Sequence, residues 1–292
     1  MLERLVYADW EDPPEAMAFE EPLGRLLGRI QELLPGILAG REAALRDPAG
    51  APSAFWDDCL SLYLLTPALV NVALNYKICV EQGLPMHPTH YFEVNDLNRH
   101  TKNYPAPLVA GSNSLFLRSI GVARAIYALE PAAPGMLEAF RRDLPLILHN
   151  FIYASMKDKY TWRASEPRKI ALLADDVRKQ MQPAIVVGAA HGSIMSGLVF
   201  SNLINATLYF IRFSMFKRND KVPIISQGDR AFLAAYRRGP ALLFDEDVAK
   251  GTTLTRFSEA LRPLFKVCST GSVLRHSLSP CWPDFTGAAW SD

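Results

Sequence analysis

One stretch constrains the fold more than any other: residues 241–254, which read Ala-Leu-Leu-Phe-Asp-Glu-Asp-Val-Ala-Lys-Gly-Thr-Thr-Leu. Ala241, Leu242, Leu243 and Phe244 form an apolar run of the kind that is buried on both faces in a parallel sheet. Acids follow at its carboxyl end, then the small-residue loop Lys250-Gly251-Thr252-Thr253, then Leu254, Phe257, Ala260 and Leu261 at helical spacing. Strand, acids, loop and helix in that order predict an open α/β sheet. Ligands of such sheets sit beyond the carboxyl ends of the strands, where the next helix presents free N–H groups and its positive dipole end. That place suits a phosphate. Carboxylates repel a bare phosphate but suit sugar hydroxyls or a Mg²⁺ ion, so a ligand with phosphate at one end and diol or metal at the other satisfies both halves.

The flanking chain alternates in the same way. Residues 184–187 are a short β-branched run ending at Gly188, followed by Ala-Ala-His-Gly-Ser and a helix with Ile194, Leu198, Val199 and Leu203. Residues 207–213 read as a second strand, then a basic turn with Lys217 and Arg218, a short helix over 229–238, the strand 241–244, its helix 251–261, and a further strand from 265 to 268 or on to 274. Strands alternating with helices imply right-handed βαβ units and a parallel sheet.

The first half has another texture. Leu23, Leu26, Leu27, Ile30, Leu33, Leu34, Ile37 and Leu38 keep the spacing of an amphipathic helix, which Pro35-Gly36 is expected to bend or split. Further helices are expected near 54–80, over 114–129, over 136–156 with a bend at Pro145, and over 167–180. Residues 1–20, with Pro13-Pro14 and many acids, are expected to form an irregular arm. Strand patterns are almost absent here, so a mostly helical region, 1–165, precedes an α/β domain, 166–292, with 157–168 as the linker.

Composition narrows the partners. Of 292 residues 49% are hydrophobic, enough to fill real cores, and 31 basic against 30 acidic residues give a net charge of +1, which offers no electrostatic ground for nucleic acid or a membrane surface. Cys59, Cys79, Cys268 and Cys281 lack CxxC spacing, and Met1-Leu2-Glu3-Arg4 carries no apolar signal core; reduced thiols in a cytoplasm are the expectation. Residues 59–76 are long enough to span hydrocarbon but contain Pro67, Asn71 and Asn75, so a buried helix is expected there. The long polar segment 83–113 is of a kind that is often functional. Its His87, His90 and His100 are not spaced as metal ligands, whereas Arg99, His100, Lys102 and Tyr104 suit contacts to a substrate.

The residues resemble the type I phosphoribosyltransferases, whose fingerprint is four apolar residues, an acidic pair, two mostly apolar residues and a loop of the form x-Thr-Gly-x-Thr. Aligned without gaps, Asp245-Glu246 is the acidic pair, Asp247-Val248 follows, and Ala249-Lys250-Gly251-Thr252-Thr253 is the loop. Asp247 replaces an apolar residue and Lys250 a Thr, and a loop one residue shorter would make Glu246-Asp247 the pair. Residues 185–192 resemble the family's pyrophosphate loop, and 207–218 its second strand and mobile loop. Trp282-Pro283-Asp284-Phe285-Thr286-Gly287 is similar to a Pro-Asp-Phe-x-Gly piece of the 6-oxopurine branch, where an aromatic stacks on the base.

The resemblance implies an enzyme that uses phosphoribosyl pyrophosphate (PRPP) and Mg²⁺ to transfer a 5-phosphoribosyl group to a nitrogenous acceptor, a purine-like base among the candidates, releasing pyrophosphate. It puts the 5′-phosphate on Lys250, Gly251, Thr252, Thr253 and Leu254, and the pyrophosphate on Ala190, His191, Gly192, Arg212, Lys217 and Arg218. Asp245 and Glu246 would take the ribose hydroxyls and Mg²⁺, and Trp282 and Phe285 the acceptor. Asp247 completes the catalytic set, either as a base on the acceptor or as a plain solvent-facing or capping acid. The alternatives are a non-catalytic PRPP sensor with the same fold, an enzyme of related fold acting on another phosphorylated sugar, and a sheet protein with no nucleotide at all. The expected partners are small molecules, with no membrane and no nucleic acid, and a homodimer is an assembly the helical half would serve.

Overall fold

The computed structural model describes residues 1–87, 102–215 and 219–291. The chain divides into two compact units, Met1–Lys157 and Asp158–Asp292.

In the first unit a short strand, β1 (Phe19–Pro22), leads into α1 (Leu23–Arg46). Leu26, Leu27, Ile30, Leu34 and Ile37 are buried, while Pro35 and Gly36 fall on the exposed side. The helix therefore runs through Pro35 instead of splitting there: proline removes one backbone donor, and burial of Leu34 and Ile37 on either side holds the turn in line. Next come α2 (Ser53–Leu65) and α3 (Pro67–Glu81), separated at Thr66, whose hydroxyl donates to the Leu62 carbonyl at 2.7 Å. By length and composition Ser53–Glu81 is apolar enough to cross a membrane, and 83% of its most apolar window is buried inside the protein. It packs on α1 and on α4 (Ala106–Ala128). Between α3 and α4, buried Lys77 donates to Glu81 at 2.6 Å, and Asn113 donates to the same carboxylate at 2.9 Å.

The long helix expected over 136–156 is not formed. After α5 (Ala133–Arg142) and the single turn α6 (Leu146–His149), the chain becomes β2 (Ile152–Ser155), antiparallel to β1 with Phe19 opposite Ser155. Pro145 cannot supply the donor that would continue α5, and pairing with β1 satisfies the backbone beyond it. The N-terminal arm is anchored, with Leu2, Leu5, Val6 and Met17 buried.

The second unit opens on α7 (Lys159–Arg163), whose first turn is capped by the Asp158 carboxylate accepting from the N–H groups of Tyr160 and Thr161. Trp162 is fully buried, so part of the stretch read as a linker is core. Then follow α8 (Pro167–Gln180), β3 (Ile185–Ala190), α9 (Ile194–Ile204), β4 (Thr207–Arg212), α10 (Gln227–Ala234), β5 (Pro240–Val248), α11 (Thr252–Leu261), β6 (Val267–His276) and β7 (Phe285–Trp290).

β3 to β7 form one parallel sheet in the order β4-β3-β5-β6-β7. The chain steps from β3 outward to β4, returns past β3 to β5, and continues the other way to β6 and β7. Right-handed crossovers then put α9 and α11 on opposite faces. The reversal opens a crevice beyond the carboxyl ends of β3 and β5, the place where open α/β sheets bind ligands. The sheet is apolar where it is covered: every residue of β3 is buried, and Phe244 of β5 stacks on Phe200 of α9 at 5.4 Å between ring centroids. The fold is thus α/β, a parallel-sheet unit preceded by a mostly helical region. β5 is longer than its apolar run and carries Asp245, Glu246 and Asp247 inside the strand, and the tail supplies a fifth strand, β7.

Candidate functional site

The crevice is walled by the loops after β3 and β5 and by the acidic end of β5 itself. Along β5, Asp245 is buried and Glu246 and Asp247 are half-buried. Burial pushes the Asp245 carboxyl up to about 6; a hydrogen bond with the Glu246 side chain opposes the rise and the charge of Asp247 adds to it. Glu246 is driven well above the usual carboxylate range by burial and then by the charge of Asp245. Its Oε2 is buried without a hydrogen-bond partner among the described residues. The side chain reaches the loop after β3: a Cβ on Gly192 would overlap the Glu246 carboxylate, so only glycine leaves it room.

That loop, Ala190-His191-Gly192, enters α9 through Ser193, whose hydroxyl donates to the Ala189 carbonyl at 2.7 Å. The Ala190–His191 peptide is cis. The loop after β5, Ala249-Lys250-Gly251, turns sharply at Gly251 (φ 75°, ψ 0°). This left-handed conformation is one glycine adopts without penalty, and Cys281 lies where a Cβ would point. Gly251 is the N-cap of α11, and no side chain caps the helix. Its first-turn N–H groups, on Thr252, Thr253 and Leu254, have no intrahelical acceptor and face a bound anion's natural position. Lys250 and Thr252 are exposed at the rim, Leu254 is buried, and the Thr253 hydroxyl lies 3.9 Å from the Met215 sulfur.

At the end of β4, Arg212 is 1% exposed, with Nε 3.2 Å and a terminal nitrogen 2.9 Å from the Asp220 carboxylate, so its guanidinium is held in a buried ion pair. Lys217 and Arg218 lie outside the described residues.

Across β6 and β7 a second group of side chains adjoins the acids. His276 Nε2 is 3.0 Å from Asp247 Oδ1. Burial raises the Asp247 carboxyl, and His276 restrains that rise. The His276 ring meets Trp290 edge-on at 4.5 Å and Tyr160 of α7 at 5.7 Å, and the Arg163 guanidinium covers the other ring of the set, Trp290, at 4.3 Å. Sequence reasoning missed His276, Tyr160 and Trp290; the one available signal was a His closing the strand that follows α11. Of the proposed acceptor contacts, Trp282 is 76% exposed with Arg275 over its ring at 3.3 Å, and Phe285 is buried at the start of β7, level with Gly271.

The donor set fits a cation that arrives with oxygen ligands of its own. Among the described residues no three His, Cys, Asp or Glu side chains are grouped as a metal cage. Adjacent buried carboxylates, one with an unpartnered oxygen, are nonetheless the groups Mg²⁺ uses when phosphates and waters complete its shell. In the first unit, His87 lines a small cavity of about 20 Å³ with Val72, Tyr76, Cys79 and Met86, and the Tyr104 hydroxyl donates to the Leu84 carbonyl at 2.8 Å. His90, Arg99 and His100 lie outside the described residues.

Together these elements form an open parallel α/β sheet with acids and two loops at its switch point. In solved structures the chain is similar to purine phosphoribosyltransferases. A purine phosphoribosyltransferase from Pyrococcus horikoshii Ot3 is 20% identical over 44% of this chain and 86% of its own, with a TM-score of 0.36. A hypoxanthine phosphoribosyltransferase from Staphylococcus aureus is 20% identical over 44% and 74%, with a TM-score of 0.34. A hypothetical protein from Neisseria gonorrhoeae with bound ppGpp is 14% identical over 43% and 79%, with a TM-score of 0.38. No protein-family model matches the sequence, and no curated protein does.

Proposed function

We propose that the second unit binds PRPP with Mg²⁺ and transfers its 5-phosphoribosyl group to a nitrogenous heterocycle, releasing pyrophosphate. One observation carries the reading: at the switch point between β3 and β5, the Glu246 carboxylate lies on Gly192 while the uncapped start of α11 follows a few residues on. Carboxylates and an anion-binding helix start in one crevice suit a ligand that joins a diol to phosphates, and a simple phosphate or a simple sugar would use only half of the site. Asp245 and Glu246 take the ribose hydroxyls and favour positive charge developing at C1. The N–H groups of Thr252, Thr253 and Leu254, with the Thr252 and Thr253 hydroxyls and the Lys250 ammonium, take the 5′-phosphate. Backbone groups of Ala190, His191 and Gly192 receive the pyrophosphate. Asp245 and Glu246 are the residues that would hold Mg²⁺, which would supply charge neutralisation of the leaving group.

Isothermal titration with PRPP and Mg²⁺ tests the site: heat of binding is expected, and its absence up to millimolar ligand sinks the reading. Pyrophosphate release with a panel of heterocyclic bases then separates transferase from sensor, since a sensor binds without turnover.

A further inference from the structure

We infer that His276, oriented by Asp247, is the base that takes the acceptor's proton, with Tyr160 and Trp290 as walls for a planar heterocycle; this rests on the phosphoribosyl-transfer reading. The strand order fixes the side of attack. β3 and its pyrophosphate loop lie on one side of β5, and β6 and β7 on the other. A nucleophile that displaces pyrophosphate from C1 approaches opposite the leaving group, so it comes from the β6 and β7 side. His276 ends β6, and Trp290 ends β7 directly opposite it in register. Tyr160, half exposed, closes the set from α7.

The groups facing the imidazole are Asp247 from β5, Trp290 from β7 and Tyr160 from α7, with Asp158 adding negative charge towards Asp247. The bond to Asp247 fixes the tautomer. With Nε2–H donated to the carboxylate, Nδ1 carries the lone pair, and no hydrogen bond to Nδ1 is formed among the described residues. Asp247 is thus a positioning residue behind His276. As the acceptor nitrogen bonds to C1, the C1–O bond breaks and its electron pair leaves on pyrophosphate. The proton of the acceptor N–H passes to Nδ1, giving an imidazolium paired with the Asp247 carboxylate, and is then lost to water.

The test uses the full chain with PRPP and Mg²⁺, with purine bases, pyrimidine bases, simple imidazoles and water as acceptors. In His276→Ala and the milder His276→Asn, kcat for pyrophosphate release is expected to fall about 10²-fold or more. PRPP affinity by calorimetry should stay within about threefold, under 1 kcal/mol. Added imidazole should restore turnover to the alanine variant, which a structural role would not allow. Wild-type kcat in either variant overturns the base, and so does a loss that follows PRPP affinity and resists imidazole. PRPP binding without pyrophosphate release from any acceptor, water included, also overturns it and leaves a sensor. No PRPP binding at all overturns the underlying function instead.

Discussion

The carboxylate of Glu246 lies against the α-carbon of Gly192, so close that a Cβ there would overlap it. The acidic end of β5 and the loop after β3 are thereby brought together by one side chain. Gly192→Ala collides with the far end of a flexible chain, which can swing aside. Folding is therefore expected to survive with a change of less than about 1 kcal/mol, while PRPP affinity falls at least about tenfold. Thermal melts paired with calorimetric titration check both halves. An unchanged affinity would show that Glu246 does not serve the ligand from where it lies.

The same carboxylates cost the protein stability at neutral pH. Asp245 rises from 3.8 to about 6 on folding, so between those values the folded state holds more protons than the unfolded one. Stability from this group is fullest below the lower value and falls as pH rises towards the upper one. Asp245→Asn is expected to stabilise the unliganded protein at pH 7, by on the order of 2 kcal/mol, and to flatten this pH dependence. On the proposed reading Mg²⁺ and PRPP bind to the ionised acids, so calorimetry near pH 6 in two buffers of different ionisation enthalpy should report proton release. Equal heats in both buffers, or an asparagine variant no more stable than the parent, would contradict the burial argument.

Much of the second unit is legible in sequence because its signals are local. The apolar run 241–244 is a fully buried strand, Gly251 turns the loop as its residue type allows, and Leu254, Phe257 and Leu261 are the buried stripe of α11. Less legible are pairings across long separations. His276 meets Asp247 from 29 residues away, and nothing near either residue announces it. Tyr160 sits in a charged, aromatic stretch that composition assigns to a linker. β2 is hidden because Ile152 follows an apolar helical pattern, and its identity depends on β1, more than a hundred residues earlier. An Arg at a strand end reads the same whether it faces a ligand or, as Arg212 does, a buried aspartate.

Pro35 shows burial overriding local preference. It is exposed, yet α1 continues through it because its neighbours are held in the core. Pro35→Ala restores a helical donor without touching a buried contact, and is expected to stabilise the protein by roughly 1–3 kcal/mol. Urea unfolding at fixed pH measures it. If the midpoint does not rise, the lost hydrogen bond is made good in some other way.

The Arg212–Asp220 pair separates two roles that an arginine at the end of β4 can have. Both side chains are nearly inaccessible, at 2% and 3% exposure, and Asp220 also accepts from the Ser214 N–H at 2.9 Å. Removing the Asp220 carboxylate takes an ion-pair partner from a buried guanidinium, so Asp220→Ala should cost about 3–5 kcal/mol. Replacing both with apolar residues of similar size, Arg212→Met with Asp220→Leu, should recover a large part of that loss. Equilibrium unfolding of the two variants gives the comparison. In the double variant PRPP affinity should hold, since the phosphates are assigned to backbone groups and to the start of α11. Should the double variant instead fold well and lose PRPP by tenfold or more, Arg212 contacts the ligand, and the ion pair is a resting position from which it is released.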